Sequence, residues 1–273
     1  MTRHEKIDPS CIEGVSRTMF ISLKHRAYGS ISKAGSYHDP VAEDFLNSIE
    51  YPWDSIRHSP SYWGVVVRTE LLDDIARGFV KSNPDGVVIN IGAGLCTRFH
   101  RLQPDIRKWV EVDFPSVISF RRLLGEPECE KHVFIPGSVT EKGTISRLSE
   151  FSDSPCLFIA EGLLVYLSES DNKGLLNNIS SSFGSFDFFF ESITPPLMLY
   201  KNFFHRSGFG WGCWSGRSIE SWSRDMSFAG EIPYGGRHPE LLDPARRLLF
   251  QLPFFRSLLR IIHVKSKYHG QIR

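Results

Sequence analysis

Apolar residues change their spacing several times along this chain, and each change predicts an element. From Tyr62 to about Lys81, the residues Val66, Leu71, Leu72, Ile75, Ala76, Phe79 and Val80 recur at helical spacing, and Asn83-Pro-Asp-Gly86 ends that helix in a turn. Short apolar runs follow at Val87–Ile91, Trp109–Asp113, Val133–Ile135, Cys156–Ala160 and Phe186–Phe190, and each predicts a strand. Between them lie helical stretches: Phe114–Leu124 with Val117, Phe120, Leu123 and Leu124 as its apolar side, Thr144–Phe151, and one from an N-cap at Ser168 to about Phe183. Upstream, helical pieces span Ile12–Tyr28 and Pro40–Ile49, before Tyr51-Pro-Trp and Ser59-Pro break the pattern. Beyond Ile193 the chain reads as irregular and aromatic-rich, then as a helical stretch over Pro239–Leu259 and a strand over Ile261–Tyr268.

Apolar strands alternating with helices predict an α/β fold, with a mostly parallel sheet covered on both faces. Ligands of such sheets bind at the carboxyl ends of the strands, near the point where strand order reverses. Asp113, Glu161 and Glu191 all stand at predicted strand ends.

Composition narrows the class. The 273 residues suit one large α/β domain, or one domain with a substantial lid, and 41% hydrophobic with 23% charged residues describes a globular chain. A net charge of +1 creates no global field for nucleic acid or an anionic membrane, so neither partner is expected. The five cysteines, at 11, 96, 129, 156 and 213, are odd in number and form no CxxC pair, which predicts reduced thiols, no structural zinc and a cytoplasmic setting. The polar start has no apolar core of a secretory signal, and no apolar run approaches a membrane span.

Chemistry concentrates at Val87-Val-Ile-Asn-Ile-Gly-Ala-Gly-Leu95. Two glycines at a strand end let the backbone turn tightly and approach a ligand, though a ligand-free turn has the same look. A dinucleotide fingerprint wants a third glycine where Thr97 stands, which weighs against an NAD(P)-dependent reductase. Asp113 ends the next strand and can accept both hydroxyls of a ribose, or cap the helix after it. Glu161, at the end of Phe158-Ile-Ala-Glu, needs a partner: an arginine, or the ammonium of a ligand. No H-E-x-x-H and no G-x-S-x-G is present, which disfavours a metal or serine hydrolase.

Three segments together resemble the leucine carboxyl methyltransferase family: Asn90-Ile-Gly-Ala-Gly-Leu-Cys-Thr-Arg98-Phe-His-Arg-Leu102, Glu111-Val-Asp-Phe-Pro115 and Ala160-Glu-Gly-Leu-Leu-Val-Tyr-Leu167. Ser22-Leu-Lys24-His-Arg-Ala, Tyr37-His-Asp-Pro40 and Arg68 extend the resemblance upstream, so that it covers roughly residues 15–192. The resemblance implies a class I, Rossmann-like methyltransferase domain with a seven-stranded sheet. It divides into an N-terminal helical cap (1–60), a cofactor-binding core (61–192) and an acceptor-pocket region that completes the sheet (193–273). It implies S-adenosylmethionine as cofactor, Lys24 and Arg68 on the methionine carboxylate, and Gly92, Ala93 and Gly94 along the methionyl part. Asp113 would then hold the ribose, Ser138 and Val139 would lie by the adenine, and Glu161 would line the site. Cys96 and Ser138 stand where many members carry acids, so adenine recognition is left open.

The implied reaction is O-methylation of a carboxyl or hydroxyl group on a small-molecule or carrier-attached natural-product intermediate. The alternatives are a protein C-terminal carboxylate and an inactive fold that only binds. A carboxylate acceptor needs no base and a hydroxyl needs one. The candidate bases are His25, His205 and Tyr166, with His38 and His100 behind them. The aromatic stretch Phe203–Trp222 is a candidate wall of the acceptor pocket, and Arg246, Arg247, Arg256 and Arg260 among apolar neighbours predict an amphipathic helix facing the core.

Overall fold

A computed structural model describes residues 6–31, 37–56, 61–103, 106–205, 208–239, 242 and 244–267, with the side chains of 30, 31, 61 and 205 left aside. Its centre is a seven-stranded sheet in the order β3-β2-β1-β4-β5-β7-β6. The strands are β1 (Val87–Ile91), β2 (Lys108–Asp113), β3 (His132–Pro136), β4 (Cys156–Ala160), β5 (Phe186–Ile193), β6 (Met226–Pro233) and β7 (Leu259–Ser266). The first five run parallel, whereas β7 is antiparallel to both β5 and β6.

Side-chain alternation explains why both faces are covered. On β1 and β4, Val87, Ile89, Ile91, Cys156, Phe158 and Ala160 point to one cluster, and Val88, Leu157 and Ile159 point to another. Helices α6 (Lys142–Leu148) and α7 (Glu169–Ser182) close the first face with Ile145, Leu148, Leu175, Leu176 and Ile179. Helices α3 (Ser61–Ser82) and α4 (Arg98–Leu102) close the second with Leu71, Leu72, Ala76, Phe99 and Leu102. A third cluster joins α1 (Met19–Ile31) and α2 (Pro40–Ser48) to α5 (Pro115–Leu123) through Phe20, Leu23, Phe45, Val117 and Phe120. This helical cap lies against the loop that follows β1, where Leu95 belongs to the same cluster.

Three expectations are corrected. The first helical piece splits, with a 3-10 turn at Gly14–Thr18 before α1 begins at Met19. The stretch after Ile193 is not irregular: it holds α8 (Pro195–His205) and β6. The helix expected over 239–259 is two short ones, α9 (Pro244–Leu249) and α10 (Pro253–Arg256), because Pro253 lacks the N–H that a continuous helix needs. Such short pieces offer little apolar face, and Leu248, Leu252 and Phe254 stay exposed rather than facing the core. The Ser59-Pro break and the tail beyond 267 lie outside the described residues. Among the described residues no helix is long and apolar enough to cross a membrane.

Candidate active site

Strand order reverses between β1 and β4, and the chain after β1 turns there on two glycines. Gly92 and Gly94 have φ of +64° and +51°, in the left-handed region that glycine adopts without a Cβ penalty. A Cβ on Gly92 would lie 2.8 Å from the Leu163 side chain. The loop is also fastened from beneath. Arg121 of α5 donates to the carbonyls of Gly94 (2.8 Å) and Cys96 (3.0 Å). Glu111 accepts from Asn90 (2.7 Å), Trp109 (2.8 Å) and Arg121 (3.3 Å). Burial alone would raise the Glu111 carboxyl; Arg121 and His132 outweigh it and hold the group below its ordinary value.

Asp113, at the tip of β2, accepts the Gly94 N–H on Oδ2 and the Phe114 N–H on Oδ1, both at 2.7 Å. It therefore braces the glycine loop instead of capping α5, whose N-cap is Phe114 with no side-chain bond. Burial raises its carboxyl, and the two backbone donors oppose that rise.

Glu161, just past β4, is shared by two arginines. Its Oε1 accepts from Arg68 Nε (3.1 Å) and Thr69 Oγ1 (3.0 Å), and its Oε2 from Arg98 Nη2 (2.6 Å). Arg68 also donates Nη1 to Glu191 (2.7 Å) and Nη2 to Ser22 (3.3 Å). Glu191 in turn accepts from the buried Tyr234 hydroxyl at 2.5 Å. The chain of pairs continues through Asp73, which binds Arg98 and Arg101, to Asp39, which binds Arg101. Burial would raise the Glu161 carboxyl, but Arg68 and Arg98 hold it far below the usual carboxylate range.

The glycine loop, Asp113, Arg68, Glu161 and Glu191 border one cavity of about 440 Å³, a size ordinary for a small-molecule site. Gly92, Ala93, Gly94, Asp113, Ser138, Val139, Arg68, Glu161 and Tyr166 all line it. Ser138 bonds the Thr140 hydroxyl at 2.8 Å at its border. Lys24 does not line it: its amine donates to the carbonyls of Trp53 (2.5 Å) and Ile56 (2.7 Å), which ties α1 to the segment after α2. His25 is buried with its ring edge-on to Tyr62, and neither it, His38 nor His100 lines the cavity. His100 faces Glu126 at 3.3 Å. The His205 side chain lies outside the described residues. Of the aromatic stretch, Phe209 lines the cavity, Trp211 is buried, and Phe203 and Trp214 are exposed.

Several cavity residues escaped the sequence reading. Glu191 was visible only as a strand-end acid, and Lys201 of α8 gave no signal at all. Elsewhere, Glu111, Glu126 and His132 lie close enough together to suggest a cation site, yet Arg121 Nη2 already reaches Glu111 (3.3 Å) and Glu126 (2.5 Å) with the positive charge a cation would bring.

The donor set fits S-adenosylmethionine. Each Asp113 oxygen keeps acceptor capacity beyond its backbone bond, suited to a diol, and the Arg68 fork reaches the same cavity, suited to a carboxylate. The loop between them exposes backbone without side chains at Gly92 and Gly94.

Known proteins share this fold and parts of this sequence. A crystal structure of a candidate methyltransferase from Thermobifida fusca superimposes with a TM-score of 0.59 at 17% identity, covering 91% of this chain and 94% of that one, which establishes the shared fold. Tetracenomycin polyketide synthesis O-methyltransferase TcmP of Streptomyces glaucescens is 31% identical over 77% of this chain and 79% of its own length. Probable leucine carboxyl methyltransferase 1 of Caenorhabditis briggsae is 28% identical over 57% of this chain and 56% of its own length. The family model for leucine carboxyl methyltransferase matches residues 20–180, the span that carries the glycine loop, Asp113, Arg68 and Glu161. The fold, the cavity and this match over most of the chain place the protein in the leucine carboxyl methyltransferase family.

Proposed function

We propose that the protein transfers a methyl group from S-adenosylmethionine to an oxygen of a small-molecule intermediate in natural-product biosynthesis, of the polyketide or nonribosomal-peptide kind. One observation carries this reading: a single cavity holds the two-glycine loop, the Asp113 carboxylate and the Arg68 guanidinium. When bound, the cofactor supplies a methyl group already activated by its sulfonium, so the protein's task is positioning and exclusion of water. Asp113 binds the ribose diol and Arg68 the methionine carboxylate. Glu161 and Glu191 hold the Arg68 fork in place through charge-assisted bonds. Ser138 and Val139 border the adenine, and Met19 and Ser22 of the cap line the same cavity. Residues 193–273 supply the acceptor side through Ile193, Lys201 and Phe209.

TcmP, an O-methyltransferase of polyketide synthesis, supports a natural-product acceptor, while the family name itself keeps a protein C-terminal carboxylate in view. Three measurements test the reading. Calorimetry is expected to show S-adenosylhomocysteine binding, and a thermal shift with NADH but none with S-adenosylmethionine would overturn it. Methyl transfer to a panel of phenols, carboxylates and peptides ending in leucine then separates the acceptors.

A further inference from the structure

Tyr234 carries the acceptor-pocket region to the arginine of the cofactor site. It directly follows β6, and its backbone N–H donates to the Leu259 carbonyl at 3.2 Å, where β7 begins. Its ring is buried beside Trp63 of α3, with the ring centres 6.2 Å apart. The Trp63 indole in turn donates to the Arg237 carbonyl at 2.6 Å, which fastens the segment after β6 to α3. Held in this way, the Tyr234 hydroxyl meets Oε1 of the buried Glu191 at 2.5 Å. Oε2 of the same carboxylate accepts from Arg68 Nη1 at 2.7 Å.

A guanidinium has five N–H donors. Arg68 gives its Nε proton to Glu161, one Nη1 proton to Glu191 and one Nη2 proton to Ser22. That leaves one N–H on each terminal nitrogen, a pair that a ligand carboxylate can take in parallel. How well the pair serves a ligand depends on how strongly Glu191 draws on Arg68. The Tyr234 hydroxyl acts on that balance in two ways. It fixes the plane of the Glu191 carboxylate, and as a donor to Oε1 it draws off part of the charge that would otherwise pull on the arginine. Both effects favour a ligand carboxylate on the fork. Burial and the Glu191 charge raise the Tyr234 hydroxyl well above its ordinary value, so it stays protonated and keeps donating.

Resting on the cofactor reading above, we propose that Tyr234 is a positioning residue: acting through Glu191, its hydroxyl holds the Arg68 guanidinium open to the methionine carboxylate. The region that shapes the acceptor pocket thereby also sets affinity for the cofactor.

The test measures, by calorimetry on the full chain, binding of S-adenosylhomocysteine and of methylthioadenosine. The second ligand keeps the nucleoside and the thioether and lacks the amino-acid carboxylate. Wild type should bind the first at least about tenfold more tightly. Tyr234→Phe, which keeps the ring and its packing, should weaken S-adenosylhomocysteine binding by about fivefold to tenfold and leave methylthioadenosine within about twofold. Trp63→Phe disturbs the same packing and keeps the hydroxyl, so the ratio of the two affinities should stay as in wild type. In a Glu191→Gln background the loss from Tyr234→Phe should fall to within about twofold, because no charge remains for the hydroxyl to draw off. Equal losses for both ligands in Tyr234→Phe, an unchanged affinity for S-adenosylhomocysteine, or a ratio that moves as far in Trp63→Phe overturns the proposal. A full loss in the Glu191→Gln background does so too. Wild type that binds neither ligand, or binds both equally well, instead refutes the cofactor reading and removes the proposal with it.

Discussion

Arg98 donates to Glu161 across 2.6 Å, and the Arg98 side chain is itself fully buried and held on its other edge by Asp73 at 2.7 Å. Arg98 follows the glycine loop and Glu161 follows β4, so this pair joins the two strand ends between which a ligand would lie. With Arg68 and Thr69 on its second oxygen, Glu161 is anchored by three donors. Its first role is thus to fix the arginine that faces the cavity, not to meet a ligand ammonium with an open carboxylate.

That pairing makes a prediction about pH. The Glu161 carboxyl lies far below the unfolded value of about 4.3, so its stabilisation is complete above that value and is lost as pH falls through the folded-state value. Glu161→Gln should lower stability at pH 7 by about 3–5 kcal/mol, the cost of leaving buried arginines short of a counter-charge. The difference from wild type should shrink below about pH 4 as the unfolded-state carboxyl takes up its proton. Urea titrations at both pH values measure this, and a gap equal at both would show that Glu161 is not ionically held.

Lys24 offers a sharper contrast with the family expectation. Its amine is occupied by the carbonyls of Trp53 and Ile56, which implies a structural role in the cap. Lys24→Met should cost about 1–3 kcal/mol of stability through the carbonyls left without a donor. Affinity for S-adenosylhomocysteine should change little. Calorimetry finding a loss as large as that of Arg68→Ala would return Lys24 to the cofactor carboxylate.

How much of this was legible in the sequence depends on distance along the chain. Parallel strands announce themselves as short apolar runs, and β1 and β4 begin and end where their patterns do. The antiparallel edge does not: β6 has a register shift at Phe228/Gly230 and is mostly half-exposed, so no clean period survives. Helix α8 was hidden because Leu199, Phe203 and Phe204 face solvent, which erases the amphipathic signature. Within the site, Asp113 lies 19 residues from Gly94, and its bond to that loop follows from the strand–turn–helix–strand unit. The bond from Arg68 to Glu191 spans 123 residues, and that of Tyr234 to Glu191 spans 43. No local pattern encodes such pairs; they arise only when the fold brings α3 and the residue after β6 to the end of β5.

Asp113 is expected to separate binding from folding. Asp113→Ala should weaken S-adenosylhomocysteine binding by about 1–3 kcal/mol, through lost hydrogen bonds to the ligand and a slackened Gly94 N–H. Asp113→Asn keeps one acceptor oxygen, so it should recover part of that loss. Equal affinity in wild type and both variants, measured by calorimetry, would refute the ribose assignment.

Gly92 tests the loop itself. Two penalties act on Gly92→Ala: a φ of +64°, worth about 1–2 kcal/mol for a residue with a Cβ, and a contact at 2.8 Å with Leu163. Leu163 also lines the cavity, so it cannot withdraw without altering the site. The substitution should therefore reduce stability by about 2–4 kcal/mol, the backbone strain plus part of an overpacking term. Leu163→Ala placed in the same chain removes the steric part and leaves the backbone part. The double variant should then be less destabilised than the two single changes added together, a coupling expected of neighbours in contact. Strict additivity in denaturant titrations would mean that the loop relaxes away from Leu163, and that its left-handed turn alone sets the requirement for glycine.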